Sequence, residues 1–457
     1  MKPKLIAVLA GLLAVGLLFG GVGLFVCLGV AVHALRGTEE AIESLFVLAF
    51  LIITAKMSIS LGRWIILFAA SGRVFWDYLS EGGASPPVLY PLLAFVGVVG
   101  GTSIITSIFP LVSFLKLASF AVGTTTVIIG LYQTSHSMQH WLSWLYTMGG
   151  FILVASIPFY FHSLGFGRNG VGFQGITNHP QTFGPILAPL TALFTGLYLF
   201  YPDLENRWVG PLALLGWGGM YLSLSRTSMF AAVLALGLAV GVGLMFRGAT
   251  WGGEIGRAFG RPEIILATLL ILSLSAVQWT SIQQEVTEVV FKDQGTTSVT
   301  ETLQESRGGL MDRSMGNFWR APITGIGFGA PSNPVRFARS VERGPLGLPI
   351  RATVEKGFMP TAVLEETGII GALLVLVLLA FLVVPVARYG SLVAFWVLST
   401  ALLLNLGEMI FFTMGGNGLY LWLVMGFCYC WSLTRSDQKS RPPVRHGVPP
   451  QSARTPA

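Results

Sequence analysis

Residues 359–386 read Met-Pro-Thr-Ala-Val-Leu-Glu-Glu-Thr-Gly-Ile-Ile-Gly-Ala-Leu-Leu-Val-Leu-Val-Leu-Leu-Ala-Phe-Leu-Val-Val-Pro-Val, and this stretch decides the fold class. It exceeds the roughly 20 apolar residues that a helix needs to cross a bilayer. The whole chain shares this character, because 53% of its 457 residues are hydrophobic and only 11% are charged. A soluble domain carries about 25% charged residues. The composition therefore excludes a soluble globular protein, a disordered chain and a nucleic-acid binder, and it predicts an all-α polytopic membrane protein.

Apolar runs of bilayer length predict about 12 transmembrane helices in a single membrane domain, residues 1–434. The first run is too long for the core of a signal peptide, so we expect a retained helix there. The predicted spans are 5–33, 41–67, 88–109, 111–132, 141–161, 181–201, 208–224, 227–246, 264–281, 359–386, 392–412 and 415–434.

The positions of the basic residues predict the orientation of these spans. Lys2, Lys4 and the arginines after residue 434 place both termini in the cytoplasm under the positive-inside rule. Alternation then places Arg63 and Arg73 inside. Residues 435–457, rich in proline and arginine, are expected to form a disordered cytoplasmic tail.

The same alternation places a long loop, about 282–358, on the outer face just before the tenth span. A structureless loop of this length is uncommon, so we expect a partly ordered, functional cap. Its second part, from Ser306 onward, is strongly basic, which suggests an anionic substrate. Arg307, Arg313 and Arg320 are therefore candidate contacts to that substrate.

Two further arginines fall in short segments predicted to face outward. Arg168 lies in the glycine-rich connection 165–181, whose backbone can approach a ligand closely. Arg226 lies in the tight turn Leu-Ser-Arg-Thr, where Ser225 or Thr227 is expected to cap the following helix. A planar guanidinium suits a pyrophosphate because it donates two parallel hydrogen bonds. The alternative is that both arginines only reach toward lipid phosphates.

Three further side chains are candidates for chemistry at the same face. His179, in Asn-His-Pro at the start of the sixth span, is either a general base or a helix cap. Glu355 and Lys356 precede the tenth span, and Glu355 could take a proton from a sugar hydroxyl. Glu365 and Glu366 lie further along that span and are either acidic groups of the site or structural hydrogen-bonding groups. No metal-ligand pattern, P-loop or dinucleotide fingerprint is present, so no metal and no cofactor are predicted.

Four segments in this order resemble the O-antigen ligase and O-antigen polymerase superfamily of bacterial envelope glycosyltransferases. They are Arg168 to Pro180, the turn Leu224 to Thr227, the stretch from Arg307 to Pro322-Ile-Thr-Gly-Ile-Gly-Phe-Gly329, and Glu355 to Gly371. The similarity covers about residues 165–375.

The resemblance implies a membrane enzyme with a periplasmic active site in the bacterial inner membrane. Such enzymes transfer a glycan from undecaprenyl pyrophosphate to an acceptor glycan or lipid, as in lipopolysaccharide biosynthesis. Arg168 and Arg226 match the two arginines thought to hold the lipid-linked pyrophosphate. The sequence departs from the family's ligases where Gly357 stands in place of a histidine, so Glu355 as base or Lys356 as a phosphate contact would take over.

Several alternatives remain open at this stage. A repeat-unit polymerase and a protein O-glycosyltransferase would use the same donor with another acceptor. A transporter or flippase of lipid-linked glycan would use the same arginines and release no undecaprenyl pyrophosphate. A scaffold subunit of an envelope-synthesis complex would not depend on the arginines at all.

Overall fold

The computed structural model describes most of the chain outside the long loop and the C-terminal tail. The described residues are 2–18, 22–54, 59, 61–167, 172–201, 207–262, 264, 309–335, 337, 342–343, 349–351 and 356–440. The ninth predicted span, 264–281, lies outside this set except for its first residue. The tail 441–457 and most of the loop 282–358 also lie outside it.

The regular secondary structure of the described residues is helical apart from one small pair of strands, which confirms the predicted all-α class. Strands β1 (Glu342–Arg343) and β2 (Pro349–Arg351) pair antiparallel, with Glu342 opposite Arg351. The α-helices are α1 (Pro3–Leu18), α2 (Gly23–Ala34), α3 (Thr38–Ile53), α4 (Gly62–Glu81), α5 (Leu89–Thr106), α6 (Pro110–Gln133), α7 (Met138–Ser156), α8 (Pro180–Phe200), α9 (Val209–Leu222), α10 (Arg226–Phe259), α11 (Gly309–Arg320), α12 (Met359–Tyr389), α13 (Leu392–Leu403) and α14 (Asn417–Ser440).

Six helical stretches in the described part of the chain are long and apolar enough to cross a membrane. Shorter apolar helices occur at Pro3–Leu18, Gly23–Ala34, Val209–Leu222 and Leu392–Leu406. The protein is therefore an all-α membrane protein, while the count of 12 spans and their orientation stay predictions. The six stretches are Leu89–Thr106, Pro110–Gln133, Ser135–Phe161, Pro180–Phe200, Arg226–Gly248 and Met359–Tyr389.

The first predicted span, 5–33, is wrong as a single helix, because it comprises α1 and α2. A polar network brings the start of α1 next to the end of α2. Lys2 Nζ lies 2.8 Å from His140 Nδ1, and Glu43 contacts both His140 at 2.9 Å and His33 at 3.1 Å. The two helices thus run antiparallel.

The second predicted span, 41–67, is likewise wrong as a single helix, because α3 ends at Ile53 and α4 begins at Gly62. Thr38, at the start of α3, donates to Asp77 near the end of α4 at 2.7 Å. Arg73 pairs with the same carboxylate at 2.9 Å. The two helices are therefore antiparallel, so Arg63 lies in the first turn of α4, at the end where α3 finishes, whereas Arg73 lies further along α4, beside the start of α3. The predicted cytoplasmic location of the two arginines stays a prediction.

The helical bundle has two ends, the cap end and the tail end. The cap end is where α3, α5 and α13 end, where α4, α6, α8, α10 and α12 begin, and where α11 packs. The tail end carries Lys2, the end of α4 and the later part of α14. At the tail end Arg247 donates to Gly390 O at 2.6 Å, and Tyr429 Oη accepts from Val88 N at 3.2 Å. Helix α14 continues to Ser440, past the predicted end of the last span at 434.

The core lies between α8, α10, α13 and α14, where large aromatic side chains are fully buried. Polar atoms of several of these rings donate to backbone carbonyl groups, as the apolar surroundings require. Tyr420 donates to Ile186 O at 3.0 Å, and Trp396 donates to Ala232 O at 2.9 Å. These bonds tie α14 to α8 and α13 to α10, which fixes the helices that begin at the cap end.

The antiparallel arrangement of α3 and α4 predicts that cysteines placed at their two ends react from opposite sides of the membrane. Leu61→Cys lies at the cap end and Glu81→Cys at the tail end, and both positions are exposed. With an impermeant thiol reagent on oriented vesicles, Leu61→Cys should react from the same side as Trp319→Cys in α11. The parent chain provides the background, because Cys27, Cys428 and Cys430 are all buried. Labelling of Leu61→Cys and Glu81→Cys from one side would show that 41–67 crosses once.

Candidate functional site

Helix α12 is broken near its start, in the sequence Glu-Glu-Thr-Gly-Ile-Ile-Gly. Gly368 has non-helical torsions, φ 64° and ψ −166°, which only glycine adopts readily. A Cβ at this position would collide with the carbonyl oxygen of Ile323. The break leaves backbone groups of α12 without partners inside the helix, and in an apolar bundle these groups must be satisfied by other parts of the protein.

The segment 322–329 supplies those partners. Ile326 N and Gly327 N donate to the carbonyl oxygens of Glu365 and Glu366 at 2.8 and 3.0 Å. In the other direction, the amides of Ile369 and Ile370 donate to Pro322 O and Ile323 O at 2.9 and 3.3 Å. The connection and the broken helix therefore form one backbone unit.

The glycines of this connection lie where the backbone passes closest to its neighbours. Gly325, Gly327 and Gly329 all have positive φ, at 69°, 104° and 63°. A Cβ on Gly325 would collide with the backbone of Glu366, and one on Gly329 would lie 2.5 Å from the side chain of Lys116. The Gly-Ile-Gly-Phe-Gly pattern is thus explained by close packing on α12 and α6.

The buried carboxylate of Glu365 is the centre of a polar cluster. Its Oε2 accepts from Lys356 Nζ at 2.7 Å, from Ser314 Oγ at 2.7 Å and from Ser332 Oγ at 3.0 Å. Its Oε1 accepts from Asn317 Nδ2 at 2.6 Å. Since Ser314 and Asn317 belong to α11, this carboxylate fixes the cap helix to the membrane helix α12.

The neighbouring carboxylate, Glu366, is also buried and completes the cluster. Its Oε2 accepts from Gly329 N at 2.7 Å, and its Oε1 lies 3.5 Å from Lys356 Nζ. On the other side of the same residue, Lys116 Nζ donates to Gly329 O at 3.0 Å. Two lysines and two glutamates therefore balance each other in this part of the cap end.

The structure places the candidate Lys356 inside this cluster, with 1% of its side chain exposed. A buried lysine held by two carboxylates serves first to neutralise them, and the phosphate-contact role stays a prediction. Glu355 and Arg307 lie outside the described residues. Arg313 and Arg320 lie on the exposed face of α11, next to Trp319, which is 70% exposed.

Arg226 begins α10, and its turn packs directly against the connection that precedes α8. Phe173 N donates to Leu222 O at 2.8 Å, and a Cβ on Gly172 would lie 3.0 Å from Ser223 O. Arg168 lies outside the described residues, but the residues on either side of it are joined, because Gly167 N donates to Gly172 O at 3.1 Å. The two segments that carry the predicted arginines are therefore neighbours.

The predicted cap of α10 is wrong in both of its versions. Ser225 is the N-cap residue, but its side chain makes no capping hydrogen bond. Its Oγ lies 2.7 Å from Ser228 Oγ, which occupies it. Thr227 lies inside the helix, since α10 begins at Arg226, and its side chain packs against Gly407.

His179 is an exposed N-cap of α8, and its Nδ1 accepts from Gln181 N at 3.1 Å. The structure thus shows the capping role that the sequence left open, while the role as a base stays untested. The same connection reaches α3, because Asn178 N donates to Ile53 O at 3.1 Å.

The segment 404–416, between α13 and α14, contacts both the turn that carries Arg226 and the segment 322–329. The predicted span 392–412 is wrong here, because α13 ends at Leu403 and a short 3-10 turn follows. Asn405 stabilises the reversal, since its Oδ1 accepts from Ile410 N at 2.9 Å and Phe411 N at 2.7 Å. In the sequence, the amide side chain of Asn405 within an apolar run is the feature from which this break could have been predicted.

Two contacts show what this segment connects. A Cβ on Gly407 would collide with the side chain of Thr227, next to Arg226. At its other end, the ring of Phe412 packs 5.5 Å from that of Phe328, which is adjacent to Gly329. The arginine turn and the buried charge cluster are therefore packed on one common segment.

Comparison of the chain with protein-family models finds no match, and comparison with curated proteins finds none either.

The Lys356–Glu365 pair is expected to contribute strongly to stability because removal of one partner leaves an uncompensated buried charge. Lys356→Met should destabilise the protein by about 3–5 kcal/mol. Thermal unfolding in detergent would show this as a lowered midpoint. In the double variant with Glu365→Gln the loss should be smaller than the sum of the single losses, because the pair is removed together. Additive losses would contradict a direct coupling.

Gly368→Ala should destabilise the broken helix, because alanine at these torsions costs about 1–3 kcal/mol before any collision with Ile323 is counted. Gly101→Ala is the matched control, since Gly101 lies within α5 with nothing within 4 Å of an added Cβ. Alanine there should leave the unfolding midpoint unchanged or raise it slightly. Equal midpoints for the two variants would disprove the special backbone at Gly368.

Proposed function

We propose that the protein is a membrane glycosyltransferase that moves a glycan from undecaprenyl pyrophosphate to an acceptor hydroxyl at the cap end. The observation that carries this proposal is the packing of four separate segments at one end of the bundle. These are 172–180, 222–228, 322–329 and 356–371, which correspond to the described parts of the segments that resemble the O-antigen ligase and polymerase superfamily.

The charges at the cap end support an anionic donor. Arg226 is half-buried at the start of α10, and Arg168 follows Gly167 in the adjoining connection. The two cations would hold the pyrophosphate while the lipid chain lies between helices. As the glycosidic oxygen departs, negative charge grows on the pyrophosphate, and fixed guanidinium groups stabilise that charge.

The transfer forms one bond and breaks one bond. The acceptor oxygen attacks the anomeric carbon from the face opposite the pyrophosphate, so the configuration is inverted. The bond from that carbon to the pyrophosphate oxygen breaks, and its electron pair leaves with undecaprenyl pyrophosphate. The proton of the acceptor goes to a base, for which Glu355 and His179 are the candidates. No metal or cofactor is required in this scheme.

The buried cluster around Glu365 supports the proposal by fixing the cap. Because α11 is bonded to α12 through this carboxylate, its exposed face with Arg313 and Arg320 is held at a defined position above the cap end. A rigid cationic cap would orient the sugars and exclude water from the reacting carbon.

The acceptor distinguishes the members of this class. A ligase would attach the glycan to a lipid core, and a polymerase would extend the glycan on the lipid carrier. Analysis of the product by mass separates the two. A transporter of lipid-linked glycan would release no free undecaprenyl pyrophosphate, so detection of that product excludes it.

Arg226→Gln should reduce glycan transfer by about 100-fold or more, the usual cost of removing one fixed donor to a developing anion. The assay uses purified protein in nanodiscs with undecaprenyl-pyrophosphate-linked glycan and acceptor, and it measures released undecaprenyl pyrophosphate. Arg257→Gln is the matched control, because Arg257 is an exposed arginine near the tail end, beyond the break of α10 at Gly248. Folded Arg226→Gln protein with the parent's rate would remove Arg226 from the site.

A further inference from the structure

The start of α4 adds an arginine to the cap end that the sequence placed elsewhere. Helix α4 runs antiparallel to α3, whose end at Ile53 meets Asn178 of the connection before α8. Arg63, in the first turn of α4, therefore lies on the same end of the bundle as Arg226. Arg73, ten residues further along α4, lies at the tail end with Asp77 and Thr38.

Arg63 reaches the segment that also supports Arg226. A Cβ on Gly415 would lie 3.6 Å from Nη1 of Arg63, so the guanidinium borders the second half of segment 404–416. Gly407, in the first half of that segment, packs against Thr227 beside Arg226. Arg63 and the turn that carries Arg226 thus both contact one short glycine-containing connection.

The side chain of Arg63 is partly withdrawn from solvent, and its guanidinium carbon lies 5.3 Å from the centroid of the Trp64 ring. This contact restricts the guanidinium at the level of the cap end. The cap end is the end predicted to face outward, and arginine is disfavoured in short outward connections.

We infer that Arg63 is a further cationic contact for the pyrophosphate group, at the same end of the bundle as Arg226. The inference rests on the proposed function and adds a binding residue to it. A pyrophosphate carries more negative charge than a monophosphate, and a third guanidinium would favour the pyrophosphate over the monophosphate. Arg63 would then contribute to selection of the donor before transfer and to retention of the leaving group.

The test measures binding of undecaprenyl pyrophosphate and of undecaprenyl monophosphate to the protein in nanodiscs of neutral lipid. Arg63→Gln should raise the Kd for the pyrophosphate about tenfold or more, as expected for loss of a charge-assisted hydrogen bond. It should also reduce the preference for pyrophosphate over monophosphate. Arg73→Gln, ten residues further along the same helix and paired with Asp77, should leave both Kd values at those of the parent.

The outcomes separate this inference from the proposed function. If the parent binds neither lipid, the proposed function fails. If Arg226→Gln weakens binding but folded Arg63→Gln binds like the parent, the inference about Arg63 is wrong, and Arg63 contacts ordinary phospholipid headgroups. Should Arg63→Gln fail to fold, Arg63→Met removes the charge and keeps a comparable apolar stem, and an unchanged Kd in that folded variant would overturn the inference.

Discussion

The carboxylate of Glu365 organises the cap end, since it joins side chains from three separate parts of the chain within an apolar bundle. An isolated charge at this depth would cost several kcal/mol, and it is tolerated because Lys356, Ser314, Ser332 and Asn317 all donate to it. The break at Gly368 lets the segment 322–329 lie close to this carboxylate. The position of α11, and with it the cationic face of the cap, follows from that arrangement.

Hydropathy alone was sufficient for the fold class and for most helices, because burial in lipid requires long apolar helices whatever their packing. It was insufficient where the chain reverses within an apolar run. The runs 5–33 and 41–67 each contain two helices, and 392–412 ends early at a turn held by Asn405. Such reversals depend on single polar or glycine residues with specific partners. Hydropathy averaged over a sequence window does not detect these residues, because their apolar neighbours dominate the mean.

The candidate site was predictable in its location but less so in the roles of its residues. The segments around Arg226 and Gly329 could be selected from their residue types, and they pack on one common segment. The partners of Glu365 could not be read from the sequence, because Ser314 lies on the separate cap helix α11 and Lys356 precedes α12. The position of Arg63 was missed for a related reason, since it depends on the direction of α4.

The antiparallel pairs α1–α2 and α3–α4 have a consequence for how charge patterns report on membrane proteins. Each pair begins and ends at the tail end of the bundle, so it preserves the end of the bundle at which every later segment begins. The positive-inside rule, applied to the termini and the basic connections, therefore tests only whether an odd or an even number of helices lies between two such points. The positive-inside rule does not test the residues between the two helices of such a pair. An arginine there can lie at the opposite end of the bundle without changing the predicted side of any other segment.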